Sequence, residues 1–72
     1  MRQQDFITDG ISLKAARVNA GFTQKEAAKR LKISETTLLK YERGETYPTV
    51  PVIKRIEALY DIPYRKIIFS GP

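Results

Sequence analysis

Apolar residues return at helical spacing along most of the chain, and small polar residues mark where each run begins. Between positions 50 and 60, Val52, Ile53, Ile56, Leu59 and Tyr60 recur on one side of a wheel, which predicts an amphipathic helix. Thr49 stands at its cap position, and Pro51 falls in the first turn, where a missing N–H is tolerated. Three further starts are alike: Ser12 follows Ile11, Thr23 follows Phe22, and Ser34 follows Ile33. Each hydroxyl can accept from the free amides of a first helical turn, and each preceding apolar residue can fold back as a staple. Thr23-Gln24-Lys25-Glu26 reads as a full capping box.

Starts eleven residues apart leave room for helices of two or three turns. The predicted helices cover residues 13–20, ended by Gly21; 24–31; 35–43, ended by Gly44; 50–60; and a short fifth, 64–69, opened by Pro63. The second has an inward face of Ala27, Ala28 and Leu31, small enough for another helix to approach closely. No stretch alternates at period two, so the expected fold class is all-α with five helices. The expected organisation is a flexible arm over 1–10, a helical domain over 11–69 and a tail over 70–72.

Composition narrows what such a domain does. Seventy-two residues make one domain with little core to spare. The chain has neither cysteine nor histidine, which removes thiol nucleophiles, thiolate metal sites and the commonest general base. No enzyme, cofactor, metal or small-molecule substrate is therefore expected. Neither a membrane-spanning run nor a signal peptide is recognisable, and a cytoplasmic protein is expected. The net charge is +5, and residues 12–44 alone carry eight basic side chains against three acidic ones. A positive field of that kind attracts polyanions, DNA above all.

The second and third helices, joined by a three-residue turn, read as a helix-turn-helix. Ala28 supplies the small residue at the crossing, and Leu31, Ile33, Leu38 and Tyr41 supply the apolar inner faces. On a wheel Ser34, Leu38, Tyr41 and Glu42 cluster inward, whereas Glu35, Leu39, Lys40 and Arg43 lie outward or on the flanks.

With those residues in view, the chain resembles the lambda-repressor-like, Xre-type DNA-binding domains that include the phage Cro proteins. The likeness is carried by Leu13, Arg17, Gly21, Phe22-Thr23-Gln24, Ala28 and Leu31. It continues through Ile33-Ser34, Thr37-Leu38, Tyr41-Glu42-Arg43-Gly44, Pro48 and Leu59 to Ile62. The resemblance implies a five-helix bundle with the third helix in the major groove, bound as a dimer to two-fold operator DNA in a bacterial host cell. It further implies that Gln24 holds a phosphate, that Glu35, Thr36, Thr37 and Lys40 address base edges, that Ser34 belongs to the DNA- or partner-binding set, and that Arg43 grips phosphate. Arg17 and Glu42 are expected as a structural ion pair, and Ile67, Ile68 and Phe69 as a homodimer contact.

Two departures from the family pattern stand out. Lys32 occupies a turn position where glycine is favoured, and a positive φ is predicted there. Leu39 is apolar where a groove-facing helix is usually polar. This second departure opens an alternative, an antirepressor that docks Glu35, Leu39, Lys40 and Arg43 against a phage repressor's DNA-binding domain as a 1:1 heterodimer. An antitoxin-type autorepressor is a third reading.

Overall fold

Three hydroxyl side chains start three helices, as their positions predict. A computed structural model describes residues 10–69 of the chain. In it Ser12 Oγ accepts from the Ala15 amide at 3.0 Å and opens α1, Leu13–Asn19. Thr23 opens α2, Gln24–Leu31, with both halves of the capping box formed: Glu26 N–H donates to Thr23 Oγ1 at 3.1 Å, and Thr23 N–H donates to Glu26 Oε1 at 2.9 Å. Ser34 Oγ accepts from the Thr37 amide at 3.0 Å and opens α3, Glu35–Arg43. The fourth helix, α4, spans Val50–Tyr60; Thr49 sits at its cap position with extended backbone, but its side chain makes no capping hydrogen bond.

The helices also end in one way. After α2, Ile33 N–H reaches Ala28 O and Lys32 N–H reaches Lys29 O; after α3, Glu45 N–H reaches Lys40 O and Gly44 N–H reaches Tyr41 O. This double bond pattern needs a left-handed residue at its centre. Gly44 meets the need at φ 75 without strain, and Lys32 meets it at φ 63 with a side chain. The predicted positive φ at Lys32 is therefore present, and the β-carbon there costs about 1 kcal/mol relative to glycine. The first helix is one residue shorter than expected: Ala20 is its right-handed cap, and the left-handed turn comes at Gly21.

The fifth helix is not there. Tyr64–Lys66 makes one 3₁₀ turn, after which the chain straightens into β2, Ile67–Ile68, parallel to β1, Ile11–Ser12. Ile11 lies opposite Ile67 and Ser12 opposite Ile68. Two consecutive β-branched residues favour extended backbone, and a two-residue pairing is too short to appear as alternation. The fold thus has four helices rather than five, and the all-α expectation needs one correction, this minimal sheet. Gly10 belongs to the same corner: a β-carbon there would lie 2.9 Å from both Lys66 O and Ile68 Cγ1. The remaining residues of the expected arm, 1–9, and the tail, 70–72, lie outside the described residues.

Each helix sends one large side chain fully into the centre: Leu13, Leu31, Leu38 and Ile56. Ala16, Ala27, Ala28, Tyr41, Val52, Tyr60 and Ile67 complete the core, with Ile33, Leu59, Ile62 and Phe69 packed against it. Ala27 and Ala28 let α2 lie close to both α3 and α4, so the helix-turn-helix is held from below by the fourth helix. Truncating Leu38 to alanine would lose about 2–5 kcal/mol, most of what a domain of this size has.

Candidate nucleic-acid interface

The outward side of α3 is defined by what pins its inward side. Leu38 and Tyr41 are buried in the core, and the Glu42 side chain is only 4% exposed. Arg17 of α1 meets Glu42 through two nitrogens, Nε to Oε2 at 2.7 Å and Nη2 to Oε1 at 3.4 Å. Its third nitrogen, Nη1, donates to Phe22 O at 2.9 Å. With α3 fixed at that angle, Thr36, Lys40 and Arg43 fall on one exposed stripe at i, i+4 and i+7. Glu35 is also exposed, beside the start of that stripe.

Several expected contact groups are already engaged within the domain. Gln24 is half-buried and donates its side-chain nitrogen to Glu42 Oε1 at 3.1 Å, leaving one amide hydrogen for an outside partner. Ser34, expected inward, is exposed; its hydroxyl donates to Thr37 Oγ1 at 2.9 Å while capping the helix. Thr37 is consequently half-buried and turned toward the cap. Leu39 is half-buried rather than fully outward. Arg43 reaches Glu45 Oε2 at 3.6 Å, with both side chains at least half exposed.

The expected dimer contact near the carboxyl end needs correcting at Ile67. Ile67 is 7% exposed and belongs to the monomer's own core, drawn in by its pairing with Ile11. Ile68 is 54% exposed, and Phe69 is half-buried between two tyrosine rings, 5.9 Å from Tyr47 and 5.5 Å from Tyr64. Sequence reasoning passed over Tyr47, an aromatic in the loop between α3 and α4 that is 59% exposed. An aromatic in a short polar loop was the available signal. It also passed over Glu45 as the neighbour of Arg43, although a carboxylate two residues beyond an exposed arginine is within side-chain reach.

The charges around α2 follow from its cap. Glu26 is held below the ordinary carboxylate range by the Thr23 amide first and the Thr23 hydroxyl next, with Arg30 adding a smaller effect. The Tyr60 hydroxyl is pushed up to about 12, by burial first and by the nearby Glu42 charge second. Among the described residues no group of acidic side chains is placed to hold a metal ion, and no helix is long and apolar enough to cross a membrane.

The arrangement offers a narrow ridge of Thr36, Lys40 and Arg43 on successive turns, whose two basic side chains suit a polyanion groove chemically. Comparison with known proteins agrees. Residues 13–67 match the helix-turn-helix family. The HTH-type transcriptional regulator ImmR of Bacillus subtilis is 42% identical over 53 residues, covering 74% of this chain and 42% of the relative. The protein PH1808 of Pyrococcus horikoshii, named among HTH-type transcriptional regulatory proteins, is 40% identical over 60 residues, covering 83% of this chain and 19% of its own length. The chain thus spans less than half the length of these relatives. No solved structure matches it closely enough to compare. Motif, fold and kinship meet on one statement: the chain belongs to the lambda-repressor-like, Xre-type helix-turn-helix family of transcriptional regulators.

Proposed function

We propose that the chain is a small phage-type regulator of a lysogeny–lysis switch, acting on operator DNA through α3. The observation that carries this reading is the exposed stripe of Thr36, Lys40 and Arg43 on a helix whose other side is locked by Leu38, Tyr41 and the Arg17–Glu42 pair. Lys40 donates to guanine O6 and N7, the Thr36 methyl packs on thymine, and Glu35 accepts from cytosine N4. Arg43 and the second amide hydrogen of Gln24 hold phosphates on either side of the groove. Two copies on a two-fold operator would set their third helices about 34 Å apart. Their contact is moved from the Ile67 core position to the exposed Ile68 with the Tyr47, Tyr64 and Phe69 rings. Such a regulator works in the cytoplasm of its bacterial host.

The test is selection of a duplex from random sequence, followed by binding measured against salt. Affinity for one short palindrome should fall steeply as salt rises. Absence of binding at low salt would end this reading.

A second reading has its own support: the readers are few. Thr37 is tied to Ser34, Gln24 is tied to Glu42, Arg43 faces a carboxylate, and Leu39 contributes an apolar margin. A helix so equipped also suits a protein surface. In this alternative the chain is an antirepressor that covers the DNA-binding domain of its phage repressor in a 1:1 heterodimer. Gel filtration of the two proteins without DNA separates the readings. Co-elution in moderate salt favours the antirepressor, and separate peaks favour the direct reader.

A further inference from the structure

A groove of about 360 Å³ runs along the seam of α2 and α4, lined by Arg30, Arg55, Ala58 and Leu59. No residue of α3 lines it, so it is a different surface from the proposed DNA interface. Its floor is apolar and both of its polar groups are guanidinium. Each guanidinium is held in place by a contact that leaves donors free. Arg30 lies over the Phe22 ring at 5.6 Å, and Arg55 Nη1 donates to Leu31 O at 3.3 Å. Among the described residues neither is bridged to a carboxylate. The nearest acidic group along α2, Glu26, is occupied by the Thr23 amide.

Two pre-positioned cations beside an apolar floor call for a ligand that is acidic and apolar at once. A phosphodiester backbone supplies the charge but nothing for Ala58 and Leu59 to cover. We propose that this groove docks an acidic segment of a partner protein, with a large apolar side chain seated on Ala58 and Leu59 and carboxylates received by Arg30 and Arg55. Fork-shaped guanidinium groups suit carboxylates better than lysines would, since each presents paired N–H donors. Because the groove and α3 share no residue, the docked segment and DNA bind the domain together.

The experiment uses the full chain and a fluorescein-labelled synthetic peptide of repeated Glu-Leu-Leu-Glu, read by anisotropy. A twin peptide with lysine in place of each glutamate is the control. The acidic peptide should bind and the basic twin should not. Arg30→Gln and Arg55→Gln together should weaken binding about tenfold or more, with the helical circular dichroism spectrum and the melting temperature retained. Ala58→Glu, on the floor, should weaken it as well, and Lys40→Ala should leave it unchanged. The proposal is overturned if the acidic peptide does not bind, if the basic twin binds equally, or if the double variant binds the peptide as the parent does. It is equally overturned if duplex DNA displaces the peptide and the double variant loses DNA affinity in step, since the arginines would then be phosphate contacts. Retention of DNA binding by the double variant keeps this test separate from the regulator reading.

Discussion

Two arginine–glutamate pairs involve neighbouring residues in the last turn of α3, and they differ in everything but chemistry. Arg17 and Glu42 lie 2.7 Å apart with side chains 8% and 4% exposed, whereas Arg43 and Glu45 lie 3.6 Å apart at 61% and 50%. Glu42 and Arg43 are consecutive residues, about 100° apart around the helix axis. In the buried pair three nitrogens from two side chains converge on one carboxylate, and the remaining Arg17 nitrogen is taken by Phe22 O. Neither Arg17 nor Glu42 is left to turn toward a ligand, and only the second amide hydrogen of Gln24 stays open. In the exposed pair, water screens a loose contact worth about 0–1 kcal/mol, which a phosphate can replace. Burial therefore decides that one pair sets the angle of the helix while the other remains available for binding.

The sharpest way to break this contrast is Glu42→Ala, which strands a buried guanidinium. It should cost about 3–5 kcal/mol in urea denaturation, enough to leave much of the protein unfolded. Replacing both partners with apolar residues, Arg17→Met with Glu42→Leu, should recover most of that loss. A single variant of wild-type stability would show that the buried pair holds nothing.

Next in size is Lys40→Ala on the exposed side. If α3 reads DNA, discrimination between the selected operator and its base variants should fall by about 1–3 kcal/mol at the base Lys40 contacts. Its unfolding free energy should stay within about 0.5 kcal/mol of the parent. Equal weakening on every sequence would reassign Lys40 to the phosphates.

Arg43→Ala should weaken DNA uniformly and reduce the salt slope by about one, again with little change in stability. Glu45→Gln should do the reverse and strengthen non-specific binding at low salt. Should Arg43→Ala unfold the protein, the distinction between the two pairs would collapse.

The smallest effect concerns the neighbour of the buried pair. Tyr60 is 6% exposed and its hydroxyl has no hydrogen-bond partner among the described residues. Tyr60→Phe should leave stability unchanged or raise it by up to about 1 kcal/mol. The pH dependence has a definite sign. Its folded value, about 12, lies above the ordinary 10, so the neutral hydroxyl's contribution is complete below pH 10 and is lost as pH rises toward 12. Tyr60→Phe should remove that part of the alkaline fall in melting temperature. An identical alkaline profile in the variant would assign the fall to other groups.

What the sequence could foretell divides along a physical line. The caps at Ser12, Thr23 and Ser34 involve residues within a few positions of one another, so local pattern was sufficient, whereas the strained turn at Lys32 was legible through the glycine that the family pattern favours there. Of the central quartet, Leu31, Leu38 and Ile56 follow from the inward faces of their helices, and Leu13 entered through the family likeness. The error at the carboxyl end was non-local. Tyr64 to Phe69 looks helical by itself, and only the approach of Ile11 from the far end of the chain makes Ile67 a buried strand residue. Within the interface, side-chain types were legible but their engagements were not. Gln24 turning to Glu42, and Thr37 to Ser34, depend on how far apart two helices or a cap and its turn settle.

The pairing of Ile11–Ser12 with Ile67–Ile68 has a mechanical consequence. Because the two segments run in the same direction, the domain is entered beside Lys66 and left beside Leu13, at opposite ends of the pair. A pull applied through both ends loads these backbone bonds in shear, all together, instead of peeling them one by one. Tension borne by anything attached to either end reaches this clamp before it reaches the helices.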